Sequence, residues 1–270
     1  MTGLCYLYGI VPAGTDAARS PVGIDENPVE LISAGGHAAL ASGVSAVDYA
    51  PEKIENLAGN IDWVRHRAES HDRVLNWASD ATRVIPLPMW TMFRDGAAVK
   101  AMLAERAGEF EATFTRIAGA REYTVRAYVR SAELQSKISG LSEEFRALEA
   151  QTKTATPGQK YLLERKLDRE RKETVRRVVR QVAADLYAAL ATAATESVRD
   201  EVSVGITASE QGQTILNASY LVPLTAMTEF RKTLTEFVTR YQPSGFTFSF
   251  TGPWPPYHFV GPKSGGKSGG

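Results

Sequence analysis

The segment Tyr123-Thr124-Val125-Arg126-Ala127-Tyr128-Val129 alternates apolar side chains with mostly polar ones. Successive side chains of a β-strand point to opposite faces, so this period of two predicts a strand with one buried face. Beyond it, apolar residues recur at alternating steps of four and three, at Leu134, Ile138, Leu141, Phe145 and Leu148. This heptad spacing predicts a helix that lies along another helix.

A second, longer helix is predicted after the break at Thr156-Pro157-Gly158, from about Gln159 to Ser197. Its apolar stripe consists of Leu163, Leu167, Val175, Val178, Val182, Leu186 and Leu190. The stripe is interrupted between Asp168 and Thr174. At 1.5 Å per residue this helix would be roughly 60 Å long. We expect the two helices, residues 131–198, to form an antiparallel hairpin.

Further strands and one helix are predicted after the hairpin. The strands fall at Val202–Ile206, Thr214–Val222 and Phe246–Thr251, and the helix at Leu224–Tyr241 precedes the last strand. The order β-α-β-β-α-β is that of the ferredoxin-like split βαβ arrangement, with the helical hairpin as its first crossover. We therefore predict an α+β protein whose C-terminal domain, residues 120–260, has a modified ferredoxin-like βαββαβ fold.

Residues 1–119 are predicted to form a separate α+β domain. Its strands are predicted at residues 4–11, 29–33 and 38–47, with an interrupted or edge strand at 82–93 because of its prolines. Helices are predicted from Pro51, over Asp62–Trp77, and from an Asp95 cap to about Ala118. Residues 261–270 are rich in Gly, Ser and Lys, and we expect a disordered tail there.

Composition narrows the functional classes. The 270 residues are 43% apolar and 23% charged, and 31 Lys and Arg balance 31 Asp and Glu. A net charge of zero argues against a protein that coats nucleic acid as a whole. The single cysteine, Cys5, excludes an intramolecular disulfide, and no segment approaches the roughly 20 apolar residues that span a bilayer. We expect a soluble protein of the cytoplasm that makes no membrane contact.

Few residues suggest catalytic or metal chemistry. His66 and His71 lie five apart on one predicted helix, whereas zinc ligands on a helix need a spacing of three or four, so His71 is interpreted as an interface or capping residue. Cys5 falls in a predicted buried strand, where cysteine acts as a small apolar residue. Residues 261–268 and 266–270 match Walker A and GxSxG as bare strings, without the strand and helix those motifs need. We predict no catalytic, cofactor-binding or metal-binding residues.

Residues 160–180 carry nine basic and four acidic side chains. One interpretation is a basic helix that meets phosphate or an acidic partner, and the other is a solvated face with i,i+4 ion pairs such as Asp168–Lys172 and Glu173–Arg177. We favour a solvated or protein-contacting helix over a nucleic-acid site, because no aromatic residue beyond Tyr161 is interleaved for base stacking. The candidate protein-binding residues here are Arg169, Arg176 and Arg177.

The segment TGPWPPYHF, residues 251–259, is the most unusual of the chain. Its three prolines fix an extended backbone, so ordering it costs little conformational entropy. Its aromatic side chains either pack across the first domain as a strap or dock on a partner, and we slightly favour the strap. The candidate contact residues are Trp254, Tyr257 and Phe259.

The two ends of the chain together resemble the gas vesicle GvpF/GvpL family. The resemblance rests on YLYGIVP at residues 6–12 and FxFTGPWPPYxF at residues 248–259, with weaker matches at His71–Leu75, Val84–Leu87 and Thr91–Phe93. The chain departs from the family at Pro88-Met89-Trp90, where members often show an arginine and a glycine. Contacts that those two residues make in relatives are therefore not carried over.

The resemblance implies two α+β domains, the second of modified ferredoxin-like fold, and a role in assembling the gas-filled shell. It implies contact with the small, very hydrophobic shell subunit, GvpA, and with other accessory proteins, and it brings no catalytic residues. The expected location is therefore the cytoplasm, in association with the gas vesicle. Two alternatives stay open: a ligand-binding regulator or enzyme that uses the ferredoxin-like domain, and a nucleic-acid binder acting through residues 160–180.

Overall fold

Strand β1 (Gly3–Pro12) lies in the middle of the first sheet. On one side it pairs antiparallel with β3 (His37–Ser45), which forms a hairpin with β2 (Glu30–Ala34). On the other side it pairs with two short strands, β4 (Ile85–Pro86) and β5 (Met92–Phe93). The protein is seen here as a computed structural model that describes residues 3–200, 208–209 and 212–261.

The three predicted N-terminal strands are confirmed, and so is the interruption of the fourth. Pro86 and Pro88 have no N–H group with which to extend a ladder. The segment between β4 and β5 nevertheless stays on β1, because the Leu87 N–H donates to the Tyr8 carbonyl at 2.9 Å. The Thr91 carbonyl in turn accepts from the Leu7 N–H, also at 2.9 Å.

The helices that accompany this sheet are α1 (Pro51–Leu57), α2 (Ile61–Ala81), α3 (Gly96–Glu105) and α4 (Ala107–Arg116). The predicted Asp95 cap is confirmed, since its carboxylate accepts from the Ala98 N–H at 2.7 Å. The prediction of one helix up to Ala118 is wrong, because the backbone of Arg106 (φ −100°, ψ 15°) separates α3 from α4. The break lets α3 pack against β2 and β3 while α4 packs against β4.

The core of this unit lies where α2 meets β1 and β3. The buried side chains that contact one another there include Tyr6, Tyr8, Val11, Leu40, Val74, Leu75 and Ala78. The sequence predicts α2 from an imperfect stripe of Trp63, His66 or Arg67, Val74 and Trp77. Of these residues only Val74 is buried. The buried face is instead formed by Ser70, His71, Val74, Leu75, Ala78 and Ser79.

The second sheet consists of β6 (Ala120–Val129), β7 (Glu196–Arg199), β8 (Ala208–Ser209), β9 (Gly212–Pro223) and β10 (Phe246–Trp254). The strand order is β10-β6-β9-β7, and β8 also pairs with β9. β7 and β9 are antiparallel. The helix predicted before the last strand is confirmed as α8 (Met227–Tyr241), which a 3-10 turn at Leu224–Ala226 precedes. The predicted strand Val202–Ile206 lies outside the described residues.

Between β6 and β7 the chain forms three helices: α5 (Ser131–Lys137), α6 (Glu143–Thr154) and α7 (Pro157–Ala191). The prediction of one continuous helix before the hairpin turn is wrong, because a 3-10 turn at Ile138–Gly140 separates α5 from α6. Ser142 then caps α6 by accepting from the Phe145 N–H at 3.3 Å. The heptad residues nevertheless all contact the core of this unit, as the spacing predicts.

The antiparallel packing of α6 on α7 is confirmed. Arg177, in the second half of α7, bonds to Glu144 near the start of α6, although the two helices join at Thr156. The predicted interruption of the apolar stripe is also confirmed, since no residue between Leu167 and Thr174 is buried. The predicted end of the helix at Ser197 is wrong: α7 stops at Ala191, because the Thr195 N–H already donates to the Leu221 carbonyl of β9 at 2.8 Å.

The contacts among the described residues define two units. The first contains residues 3–121 and 253–261, and the second contains residues 122–252. The sequence places the Pro- and aromatic-rich segment in the second domain, whereas its contacts assign residues 253–261 to the first unit. β6 and β10 each carry the chain from one unit to the other.

Candidate protein-binding surfaces

The C-terminal segment is anchored on the first unit by one buried aromatic side chain and by hydrogen bonds. Phe259 is 2% exposed, and its carbonyl accepts a hydrogen bond from the Arg116 guanidinium of α4. The Tyr257 hydroxyl donates to the Asp72 carboxylate of α2 at 3.2 Å. Pro255 and Pro256 are also buried. We call residues 253–261 the strap, because they contact helices α2 and α4 of the first unit.

Two aromatic side chains of this segment remain on the surface. Trp254 is 41% exposed and Tyr257 is 40% exposed, although both belong to a segment that is anchored on either side. Phe259 thus fits the strap interpretation, whereas Trp254 and Tyr257 expose part of their aromatic surface to solvent. The sequence analysis treated these three residues alike, whereas in the structure Phe259 is buried and the other two are exposed.

A cavity of about 610 Å³ lies beside the strap. Its apolar wall comes from residues 85–88 and Phe110, and its polar wall from Thr113 and the Arg106–Glu109 ion pair (2.9 Å). Tyr257 and Val260 of the strap complete the lining. The cavity therefore joins apolar and charged surface next to the exposed Tyr257 side chain.

The basic helix predicted from the sequence lies within α7, and Arg169, Arg176 and Arg177 are all exposed. The predicted i,i+4 pairs are wrong: Asp168 pairs with Arg171 at 3.6 Å and Glu173 with Arg176 at 3.3 Å. Arg177 pairs with Glu144 of α6. Neighbouring turns of a helix bring residues three and four apart equally close, so the sequence did not decide between these partners.

The N-terminal end of α7 exposes two apolar side chains that the sequence analysis did not single out. Tyr161 is 58% exposed and Leu162 is 68% exposed. The guanidinium carbon of Arg165 lies 5.5 Å from the centroid of the Tyr161 ring, within the range of a cation–π contact. Both residues lie outside the predicted apolar stripe, which begins at Leu163.

A cluster on α2 was missed by sequence reasoning altogether. The rings of Trp63 and Trp90 stack with centroids 5.2 Å apart, and the Arg67 guanidinium lies 4.2 Å from the Trp63 centroid. Arg67 also donates to Asp25 at 2.6 Å. Trp90 (φ 68°) and Asp25 (φ 51°) both have left-handed backbone, which is uncommon for residues other than glycine. No periodicity predicts such a cluster, because Trp90 and Asp25 have positive φ values and so do not follow the side-chain spacing of a helix or a strand.

The sequence profile of the family described as "Gas vesicle synthesis protein GvpL/GvpF" matches residues 4–261 of the chain. This protein belongs to the gas vesicle GvpL/GvpF family. Gas vesicle protein L2 of Halobacterium salinarum is 28% identical over 264 residues, covering 94% of this chain and 90% of its own length. Gas vesicle protein L of a Streptomyces species is 26% identical over 253 residues, covering 94% of this chain and 88% of its own.

Two crystal structures of GvpF proteins are similar in fold. GvpF of an Anabaena species matches with a TM-score of 0.69 at 20% identity, over 97% of this chain and 99% of that one. GvpF of Microcystis aeruginosa matches with a TM-score of 0.65 at 18% identity, over 97% and 100%. These likenesses confirm the mixed helix-and-sheet architecture, and membership of the GvpL/GvpF family implies a role in gas vesicle formation.

The N-terminal segments that carry the family resemblance meet in the core of the first unit. Tyr6 of β1 bonds through its hydroxyl to Nδ1 of His71 in α2 at 2.8 Å, and Nε2 of His71 lies 3.1 Å from the Leu87 carbonyl. A carbonyl can only accept, so Nε2 carries the proton and Nδ1 accepts from Tyr6. His71 is thus a core residue, and its interpretation as an interface or capping residue is wrong.

Burial shifts the pKa values of titratable side chains in this core. It lowers the pKa of His71 below its ordinary value of 6.5 and raises the pKa of Tyr6. Burial, with the nearby Asp95 and Glu30 carboxylates, also raises the pKa of the Cys5 thiol, which is only partly buried in β1. A thiol nucleophile requires the opposite shift.

In the described ranges 3–200 and 212–261, no three His, Cys, Asp or Glu side chains are grouped as metal ligands would be. His66 is exposed and His71 is buried, so the two histidines of α2 do not face a common ion. No helix in the described part of the chain combines the length and apolarity needed to cross a membrane. Residues 262–270, which contain most of the Walker A-like string, lie outside the described residues.

Proposed function

We propose that this protein is a gas vesicle accessory protein that binds the shell subunit, GvpA, and other accessory proteins during shell assembly. It acts through contact and without catalysis, in the cytoplasm and in association with the vesicle. The observation that carries the proposal is the pair of exposed aromatic side chains, Trp254 and Tyr257, on the anchored strap. Family membership over almost the whole chain supports the assignment to vesicle formation.

The physical reason for such a partner lies in the shell subunit. A protein that polymerises through an apolar face must have that face covered or its ordering nucleated before it meets the growing shell. Large aromatic side chains dominate binding energy at interfaces, and a segment that is already ordered loses little entropy on binding. Trp254 and Tyr257 meet both conditions, because the prolines and Phe259 hold their backbone in place.

The experiment is a deletion of the gene for this protein in a host that makes gas vesicles, followed by complementation. Wild type is expected to restore vesicles and to co-purify with GvpA. The double variant Trp254→Ala/Tyr257→Ala is expected to lose at least about tenfold in GvpA affinity, since two aromatic contacts are removed. The matched control is Val47→Ala/Ile61→Ala, which removes two exposed apolar side chains of the same unit.

Two results would contradict the proposal. If the deletion strain made normal vesicles, the protein would not be needed for shell assembly. Equal GvpA affinity for the wild type and the Trp254/Tyr257 double variant would show that another surface makes the contact.

We further infer that the second unit has the modified ferredoxin-like fold predicted from the sequence. The strand order β10-β6-β9-β7 supports this inference, because the split βαβ arrangement places its strands in the order four, one, three, two. Cross-strand bonds support an antiparallel β6–β9 pair: Thr124 lies 3.2 Å from Ser219, and Arg126 donates to Asn217 at 3.1 Å. A crystal structure with β6 parallel to β9 would refute the inference.

A further inference from the structure

Five cationic side chains of α7 form one row, which we call the basic stripe: Arg165, Arg169, Lys172, Arg176 and Arg180. Their spacing is four, three, four and four residues. At 100° per residue these positions fall within an arc of about 80° of the helix circumference. At 1.5 Å per residue the stripe is about 22 Å long, which equals four turns of a facing helix.

All five side chains are exposed. Within the part of the chain that the structure describes, only Arg176 of the five pairs with a carboxylate, that of Glu173 at 3.3 Å. The other cations of α7 that are paired lie off the stripe: Lys160 with Glu164, Arg171 with Asp168 and Arg177 with Glu144. The acidic side chains of the helix therefore neutralise its flanks and leave the stripe charged.

The charge of the protein is unevenly distributed in consequence. Helix α7 carries nine Lys and Arg against five Asp and Glu, a net charge of 9 − 5 = +4, whereas the whole chain has 31 of each. Like charges at i,i+4 positions destabilise a helix, and three such pairs occur along the stripe. A partner with the opposite charge would remove that repulsion when it binds.

We propose that the basic stripe is the docking surface for an acidic α-helical segment of another gas vesicle protein. The proposal rests on the proposed function for its choice of partner. Charge complementarity defines the partner's face, with Asp or Glu recurring at steps of three and four residues. Leu162 lies in the same arc one turn before Arg165 and is 68% exposed, so it supplies an apolar anchor at one end of the stripe.

A nucleic acid fits this surface less well than an acidic helix. Single strands are held by aromatic side chains interleaved with cations, and Tyr161 at the tip already lies under the Arg165 guanidinium at 5.5 Å. The stripe follows one face of α7 and has the exposed Leu162 side chain at its end. An amphipathic helix with acidic and apolar residues complements both features.

The first test measures binding by the full-length protein. The probe is a synthetic acidic helix of about 20 residues with Glu at steps of three and four and Leu at one end. It is compared with single-stranded DNA of about 20 nucleotides. The stripe variant is Arg165→Glu/Arg169→Glu/Lys172→Glu. The matched control, Arg73→Glu/Lys100→Glu/Lys153→Glu, reverses three other exposed cations and changes the net charge by the same amount.

We expect the wild type and the control to bind the peptide equally, and the stripe variant to bind it at least about tenfold more weakly at low salt. The difference should shrink at about 500 mM salt, because screening removes the charge term. Equal binding by both triple variants would overturn the proposal. Loss of DNA binding in the stripe variant without loss of peptide binding would make the stripe a nucleic-acid site instead and would equally overturn it.

The second test uses the deletion strain and separates the two proposals. If wild type restores vesicles and the stripe variant does not, while the control does, the docking surface is supported. If both triple variants restore vesicles, the stripe proposal fails and the assembly role stands. If the deletion strain makes normal vesicles on its own, the assembly role fails, and the choice of a gas vesicle partner fails with it. Thermal unfolding of each variant checks that the exposed substitutions leave the fold intact.

Discussion

Gly9 lies where β1 passes closest to α2 and β4. A Cβ atom at this position would lie 2.9 Å from the Ile85 carbonyl oxygen, and equally close to side-chain atoms of Leu75 and Val84. The pairing of β1 with β3 shifts its register between Leu7 and Gly9, so the backbone is irregular here as well. Glycine is the residue that allows this approach.

We expect Gly9→Ala to lower the free energy of unfolding by about 1–3 kcal/mol, since the backbone carbonyl of Ile85 cannot move aside as a side chain would. Urea unfolding of the purified protein measures the change. The control is Gly43→Ala on the neighbouring strand β3, where nothing lies within 4 Å of the added Cβ. A Gly9→Ala protein as stable as the Gly43→Ala protein would show that the contact is tolerated.

His71 should make the stability of the first unit depend on pH. Its pKa is lowered in the folded state, so the unfolded chain binds more protons below pH 6.5. The stabilising contribution of the neutral imidazole is therefore complete above pH 6.5 and is lost as the pH falls toward the folded-state pKa. We expect urea midpoints to fall between pH 7.5 and 5.5.

The variant His71→Gln should flatten that pH dependence while lowering stability at every pH, because the amide does not titrate in this range and the bonds to Tyr6 and Leu87 are disturbed. His66→Gln serves as the control, since His66 is on the same helix and exposed. An unchanged slope in His71→Gln would assign the pH dependence to another group.

The residue that caps the start of helix α3 contributes to the stability of that helix. Asp95 accepts from the Ala98 N–H at 2.7 Å and satisfies one of the free donors of the first turn of α3. We expect Asp95→Ala to cost about 1 kcal/mol in thermal unfolding, and Asp95→Asn only a few tenths, because asparagine keeps the acceptor. Equal losses in both variants would point to the charge of Asp95 and its ion pair with Arg94 instead.

The apolar pattern of the sequence did not predict where two of the helices end. The apolar residues of α5 and α6 keep their heptad spacing across the 3-10 turn at Ile138–Gly140, so the spacing alone predicted one helix. Likewise, the apolar spacing continues past Arg106, and Gly108 lies two residues beyond it, inside α4. The break at Thr156-Pro157 was predicted because a proline marks it.

At the scale of the whole molecule, local patterns predicted the two sheets better than the candidate surfaces. Strand periodicity and turn residues predicted most of the strands, because a strand with one buried face alternates apolar and polar residues. The surfaces depend on pairings between distant residues, such as Trp63 with Trp90 or Arg177 with Glu144. The sequence singled out Trp254, Tyr257 and Phe259 because prolines surround them, but which of the three is buried depends on the fold.

The strap belongs to the first unit although it follows the second in the chain, and this predicts where a defect appears. We expect Phe259→Ala to destabilise the first unit by about 3–5 kcal/mol, since the side chain is 2% exposed. Hydrogen–deuterium exchange should then accelerate in residues 3–121 and not in residues 122–252. Ile61→Ala, at an exposed position of the first unit, should change neither.

Faster exchange confined to the second unit, or spread evenly over both units, would contradict this assignment of the strap. The measurement has a second use, because Phe259→Ala leaves Trp254 and Tyr257 in place. A loss of GvpA affinity in this variant would then report the positioning of those two side chains and not their removal.

The placement of the strap also has a consequence for synthesis on the ribosome. Residues 253–261 leave the ribosome only after all of residues 122–252, which takes on the order of ten seconds at cellular rates of elongation. During that interval the helices that receive Phe259 and Tyr257 already exist without their covering segment. The surfaces of α2 and α4 that the strap contacts are therefore open to chaperones or to a waiting client until the strap has been made.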